Sequence, residues 1–284
     1  MPFKQIEKTD IALIDSNKVL FVIGNGFDLM HGVPSSYYSF RDSMGRHNEL
    51  RNALEIYIRK DDLWADFEES LAHLDDEAML GTIDDWMDTF DVKDQYDDDF
   101  SAADFFMAAE TAPAPALTII RELPKRFKKW VCTLKPTISG KPLEGIINNQ
   151  STFINYNYTE FLETIYGVPK KNIWYIHGDR RDKRKELILG HAPGAGFEDD
   201  NNPSGRRSNR SRIKSQTAYD LHETAGHSLL AVDYPYFKEL IINNQNRENM
   251  KWYISWHSAG AFKQIDDFAY AMGIQQKQIE LFRV

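Results

Sequence analysis

The sequence predicts an α/β fold, a mostly parallel sheet carrying a large helical insertion. Two observations predict it. Short runs with strand character stand at 18–23, at 151–156 (STFINY), at 172–177 (NIWYIH) and at 251–256 (KWYISW), and the stretches between them place apolar residues at helical spacing. The region from 46 to 147 has no run with strand character, so it reads as helices inserted between the first strand and the rest of the sheet. The expected organisation is one domain over 1–284, with its core from about 15–45 and 148–284 and the insertion over 46–147.

In chain order, Val19 to Ile23 form a buried-strand pattern that runs into Gly24-Asn25-Gly26 and a helix start. A strand, a Gly-x-Gly turn and a helix can cradle an anion, because glycine lets the backbone approach and the helix N-terminus offers free N–H groups. Residues 35–60 read as mostly helical. Trp64, Phe67, Leu71 and Leu74 mark one face of a further helix over 62–74. Residues 75–104 hold twelve acidic side chains and one basic one, Lys93, with Ile83, Trp86, Met87 and Phe90 at helical spacing, the pattern of a solvated amphipathic helix. Residues 112–150 read as helix broken near Pro124, Pro136 and Gly140. Ile188-Leu189 reads as a further short strand, and 192–217, rich in Gly, Pro, Asn, Ser and Arg, as a mobile loop. A last helix follows KWYISW through about Met272.

Composition narrows the function. No apolar run approaches the roughly eighteen residues of a membrane span, and the N-terminal stretch lacks the apolar segment of a secretory signal. Cys132, the single cysteine, excludes an intramolecular disulfide and a cysteine-rich zinc site and fits a cytoplasmic location. The net charge of −9 argues against a whole-surface nucleic-acid footprint. No paired metal-ligand spacing is present, so no metal is expected.

The glycine turn departs from the usual dinucleotide fingerprint. Leu29 stands where a third glycine belongs, and the acidic residue expected about twenty positions on has no strand to end. Asp28 places a carboxylate beside the turn, where it either binds a ribose hydroxyl or compensates the helix dipole. Asn157 and Thr159 follow the STFINY strand. An amide there can hold a ribose hydroxyl or orient a water, and a threonine can equally cap a helix. His177 closes an apolar strand, where its imidazole serves either as a base or as a partner of a buried carbonyl.

Taken together, these motifs resemble sirtuins and sirtuin-like NAD hydrolases. Gly24-x-Gly26 followed by Gly32-Val33-Pro34 matches their glycine spacing. Asn157 and His177-Gly178, twenty residues apart, are similar to their catalytic pair, and Gly226-His227-Ser228-Leu229 to their ribose-binding turn. A second resemblance, to the bacteriophage abortive infection AbiH family, covers most of the chain. It rests on Gly24 to Phe40, WADFEESL at 64–71, NYTEFLE at 157–163, His177-Gly178 and Gly226 to Leu229. What the resemblances imply is a Rossmann-like, sirtuin-like sheet in a phage-defence protein that binds NAD or a related adenine nucleotide. Its partners would be a homo-oligomer or a phage-derived activator. His177 and Asn157 would be catalytic, and Gly24, Asn25, Gly26, Asp28, Gly32, Thr159 and Ser228 would hold the nucleotide. Two activities follow as expectations, hydrolysis of the nicotinamide–ribose bond of NAD, or nucleotide sensing that switches a partner without chemistry.

Overall fold

The computed structural model describes residues 3–12, 14, 19–75, 77–82, 114–189, 234–256 and 261–283. The chain divides into two compact units. The first comprises Met1–Pro34, Lys135–Asp179 and Ala231–Val284, and the second Ser35–Leu134 and Arg180–Leu230. Among the described residues, no helix is long and apolar enough to cross a membrane.

The first unit is α/β and holds two small sheets, both parallel throughout. One orders its strands β1 (Lys4–Gln5), β6 (Ile279–Arg283), β5 (Trp252–Trp256). The other orders them β2 (Leu20–Ile23), β3 (Thr152–Asn155), β4 (Ile173–Tyr175). Around the first sheet, Phe3, Ile265, Ala269, Ile279 and Leu281 form a buried cluster. The apolar face of α9 (Ala261–Met272) joins it through Ile265 and Ala269. In the second sheet Phe153 is fully buried and stacks on Phe21 at 5.1 Å. Phe237 of α8 (Tyr234–Ile242) touches Tyr156, just past β3, and also Trp252 of β5, so one aromatic links both sheets.

The second unit is helical among its described residues, apart from an isolated bridge between Ile58 and Leu74. It contains α3 (Tyr37–Met44), α4 (Glu49–Tyr57), α5 (Phe67–Ser70) and α6 (Ala114–Thr133). Ser36, Asn48 and Asp66 accept backbone N–H bonds at the starts of α3, α4 and α5, as short polar side chains do at helix entries. Phe40 is completely buried against the rings of Trp64, Phe67, Phe127 and Trp130.

Several elements differ from the sequence reading: in place of one mostly parallel sheet there are two three-stranded ones, and the helix expected over 62–74 is α-helical only at Phe67–Ser70. Helix α6 continues through Pro124 instead of breaking there. An internal proline costs about 3 kcal/mol through its missing N–H and its ring. Burying Leu123 and Phe127 on either side returns roughly 1.5–3 kcal/mol each, which is enough to hold the helix together. Ile188 and Leu189 form no strand. Strands β1 and β6 stand where no strand was expected. The amphipathic reading of 83–90, the loop at 192–217 and Gly226 to Leu229 lie outside the described residues.

Arg180 donates to the carbonyls of Val131 and Leu134 at the end of α6, a cationic cap on orphan carbonyls. Glu280 in β6 meets Lys4 and Lys251, both at 3.2 Å. Burial alone would raise its carboxyl, but hydrogen bonds from the two lysines outweigh it and hold the group below its ordinary value. A depressed carboxylate stabilises the fold above its unfolded pKa, and the contribution disappears as pH falls through the folded one. Both lysines are largely exposed, so the effect is at most about 1 kcal/mol. Glu280→Gln is therefore expected to lower urea stability at pH 7, with the difference from wild type closing below about pH 4. A difference independent of pH would refute this assignment.

Candidate functional site

Parallel pairing sets three strand ends side by side. Ile23 pairs with Asn155, and Asn155 with Tyr175, so β2, β3 and β4 finish level. The ladder extends one step further, since Tyr156 N–H donates to Ile23 O at 2.8 Å and Ile176 N–H to Asn155 O at 3.0 Å. The segments that leave these ends carry Gly24, Asn157 and His177. Carboxyl ends of parallel strands are where α/β sheets place ligand sites, because loops diverge there and leave backbone groups exposed.

The β2 exit passes through Gly24 into α2 (Asn25–Met30), with Gly24 in extended conformation at the helix entry. Gly24, Asn25 and Gly26 are exposed. Among the described residues, a Cβ at Gly24 or Gly26 would meet nothing within 4 Å, so the turn is open there.

The β3 exit is fixed from inside. Asn155, only 1% exposed, accepts from Asn157 N–H at 3.0 Å and donates to Thr159 O at 3.2 Å. These bonds shape residues 155–159 into one turn. From that turn the Asn157 amide donates to Gly24 O at 3.0 Å and to Asp28 Oδ1 at 3.1 Å, and the Thr159 hydroxyl donates to Asp28 Oδ2 at 2.8 Å. Asp28, 2% exposed, thus holds two donors from a segment about 130 residues away. Its carboxylate serves as an internal anchor as well as facing the first turn of α2.

The β4 exit carries His177, buried beside two rings, Tyr156 at 5.4 Å edge-on and Tyr158 at 5.8 Å tilted. Gly178 follows with φ +94°, a conformation that favours glycine and turns the chain sharply after the histidine. Asp179 then pairs with Lys170 at 2.9 Å.

Structure brings Gly24, Asp28, Asn157 and Thr159 into direct contact and sets His177 on the neighbouring strand end. Gly32 sits apart from this network. Its φ is +68°, and a Cβ there would lie 2.2 Å from Thr137 Oγ1, which donates to Gly32 O. Packing against 137–138 is by itself enough to require that glycine. His31 is fully buried, with Nδ1 2.7 Å from Phe27 O and Nε2 2.9 Å from Tyr166 Oη. A carbonyl only accepts, so Nδ1 carries the proton and Nε2 accepts from the phenol, which itself accepts from Leu143 N–H. Burial pushes the Tyr166 phenol above its ordinary value, keeping it a neutral donor. Ser228 lies outside the described residues. Sequence reasoning missed Asn155, Tyr156 and Tyr158; the alternation Asn155-Tyr156-Asn157-Tyr158 was the available signal.

A cavity of about 200 Å³ in the same unit is lined by Arg247, Trp252, Met272 and Gln278, among others, and shares no residue with the strand ends. The Gln278 amide there already donates to the carbonyls of Arg247, Glu248 and Met250. Among the described residues no cluster of His, Cys, Asp and Glu could hold a metal ion.

The Bacteriophage abortive infection AbiH family model matches residues 20–256, a span that includes all three strand ends. No curated protein and no solved structure matches the chain.

Removing the Tyr166 hydroxyl leaves His31 Nε2 and Leu143 N–H without their partner. Tyr166→Phe is expected to cost about 1–3 kcal/mol of unfolding free energy, measured by urea denaturation. An unchanged midpoint would refute the relay.

Proposed function

The chain belongs to the bacteriophage abortive infection AbiH family, and from that premise we propose that it acts in phage defence by hydrolysing NAD at the ends of β2, β3 and β4. The observation that carries this reading is the juxtaposition of His177 and the anchored Asn157 on neighbouring strand ends, beside an open glycine turn.

The chemistry suits these groups. The bond between nicotinamide nitrogen and ribose C1′ breaks, a water oxygen bonds to C1′, and one proton is released. NAD and water give ADP-ribose, nicotinamide and a proton. Nicotinamide departs from a cationic state as a neutral molecule, so the leaving group needs no general acid. What the site must supply is orientation, exclusion of bulk water and a proton acceptor. His177, in its neutral form, accepts the proton from a water or a ribose hydroxyl, and the rings of Tyr156 and Tyr158 limit solvent around it. The exposed turn at Gly24 to Gly26 gives the rest of the dinucleotide room for close approach.

A second reading is favoured by one observation. Both hydrogens of the Asn157 amide are engaged internally, on Gly24 and Asp28, so its donor side is satisfied without a substrate. Such a framed pocket would bind NAD or ADP-ribose and switch a partner, with no bond broken. Calorimetry followed by recovery of the ligand separates the two, because only the hydrolase returns nicotinamide and ADP-ribose.

Under the first reading, mass spectrometry after incubation with NAD detects free nicotinamide. His177→Ala lowers the rate by at least about 100-fold, the contribution of a general base, without loss of fold. Folded wild-type protein that leaves NAD and related nucleotides intact, with its phage trigger present, would overturn hydrolysis.

A further inference from the structure

Asp28 is the group that a simple phosphate-binding turn would not contain. Its carboxylate lies buried one turn into α2, four residues after Gly24, and negative charge there repels a diphosphate. Its geometry gives it a different task. Asp28 Oδ1 and Gly24 O both face the Asn157 side-chain nitrogen, at 3.1 and 3.0 Å. Two acceptors around one atom leave a single orientation for the amide, with nitrogen toward Asp28 and oxygen turned away. Asn157 is only 6% exposed, and among the described residues its Oδ1 has no hydrogen-bond partner. Thr159 is held by the same carboxylate, with its hydroxyl proton directed to Asp28 Oδ2. An amide oxygen can only accept, so the ligand atom that completes Asn157 is a hydrogen-bond donor, such as a sugar hydroxyl, and not an unprotonated phosphate oxygen.

We propose that Asp28 is a positioning residue that fixes Asn157 with its acceptor presented, so that the strand-end site takes a hydroxyl-bearing ribose and keeps phosphate at a distance. The proposal rests on the nucleotide-binding reading above and adds which part of the nucleotide lies beside Asp28. The diphosphate then runs beyond the turn, and the sugar lies over Gly24 and Asn157.

The two roles of Asp28 predict opposite signs. If the carboxylate stood beside phosphate, removing its charge would tighten binding. If it positions Asn157, removing it lets the amide turn, and binding weakens. Calorimetry on the full chain with NAD, nicotinamide riboside and inorganic pyrophosphate distinguishes them, with melting temperature measured in parallel. Wild type is expected to bind NAD and the riboside, and pyrophosphate at least about tenfold more weakly than NAD, as a site built around hydroxyl recognition discriminates. Asp28→Asn is expected to weaken NAD and riboside alike by about tenfold or more and to leave pyrophosphate unweakened. Unchanged or tighter NAD binding in Asp28→Asn, or pyrophosphate binding to wild type as well as NAD, overturns the proposal. If Asp28→Asn does not fold, the side-chain amide signals of Asn157 in nitrogen-15 spectra of wild type decide. They move on addition of riboside if its oxygen accepts a ligand hydroxyl, and they stay in place if the proposal is wrong. NAD bound without nicotinamide release removes hydrolysis and leaves the role of Asp28 standing.

Discussion

A buried carboxylate must find hydrogen-bond donors, and Asp28 finds two of them in the turn that leaves β3. Much of the first unit's strand-end geometry depends on that requirement. Helix α2 has six residues, too few to be stable by its own hydrogen bonds. It is held at one end by Asp28 against Asn157 and Thr159, and at the other by His31 against Tyr166. Asn155 shapes the turn that presents those donors, and the Gly24 carbonyl closes the circuit. Removing any one member leaves polar atoms of the others in a protein interior.

Much of this sheet was legible in the sequence. Strands β2 to β5 appear as short runs rich in apolar and aromatic residues, of which Phe153 and Ile154 in β3 are buried while Leu20, Val22 and Trp174 are exposed. Asn157 and His177 emerged from their places at the ends of strand-like runs and from the family resemblances, and parallel pairing sets those ends side by side. Asp28 stood out as an anomaly, but its partners lie about 130 residues away, and local pattern carries no trace of a pairing at that distance. Strand β1 has two residues and no period to detect. Strand β6, IELFR, carries charge at Glu280, which is tolerated because two lysines reach it. Pro124 misled for a different reason, because propensity is local while the packing that overrides it is not.

The glycine spacing illustrates how a signature can have more than one cause. Among the described residues, Gly24 and Gly26 meet no atom where a side chain would project, which suits close approach by another molecule. Gly32, six residues beyond Gly26, is dictated by a left-handed backbone and by Thr137 lying against it. A spacing that reads as one motif therefore joins an open turn to a packed one. Members of such a constellation should be weighed one by one, by what surrounds each.

Strand order in the first sheet has a consequence for synthesis. Its middle strand, β6, is the last of the three to be made, and among the described residues both β1 and β5 pair only with it. A ribosome that has produced the first 270 residues has therefore made two strands with no common partner between them. Their ladder groups stay unsatisfied until residues 279–283 emerge. Chains that stop short of β6 would lack this sheet and would expose the apolar surface around Phe3 and Ile265.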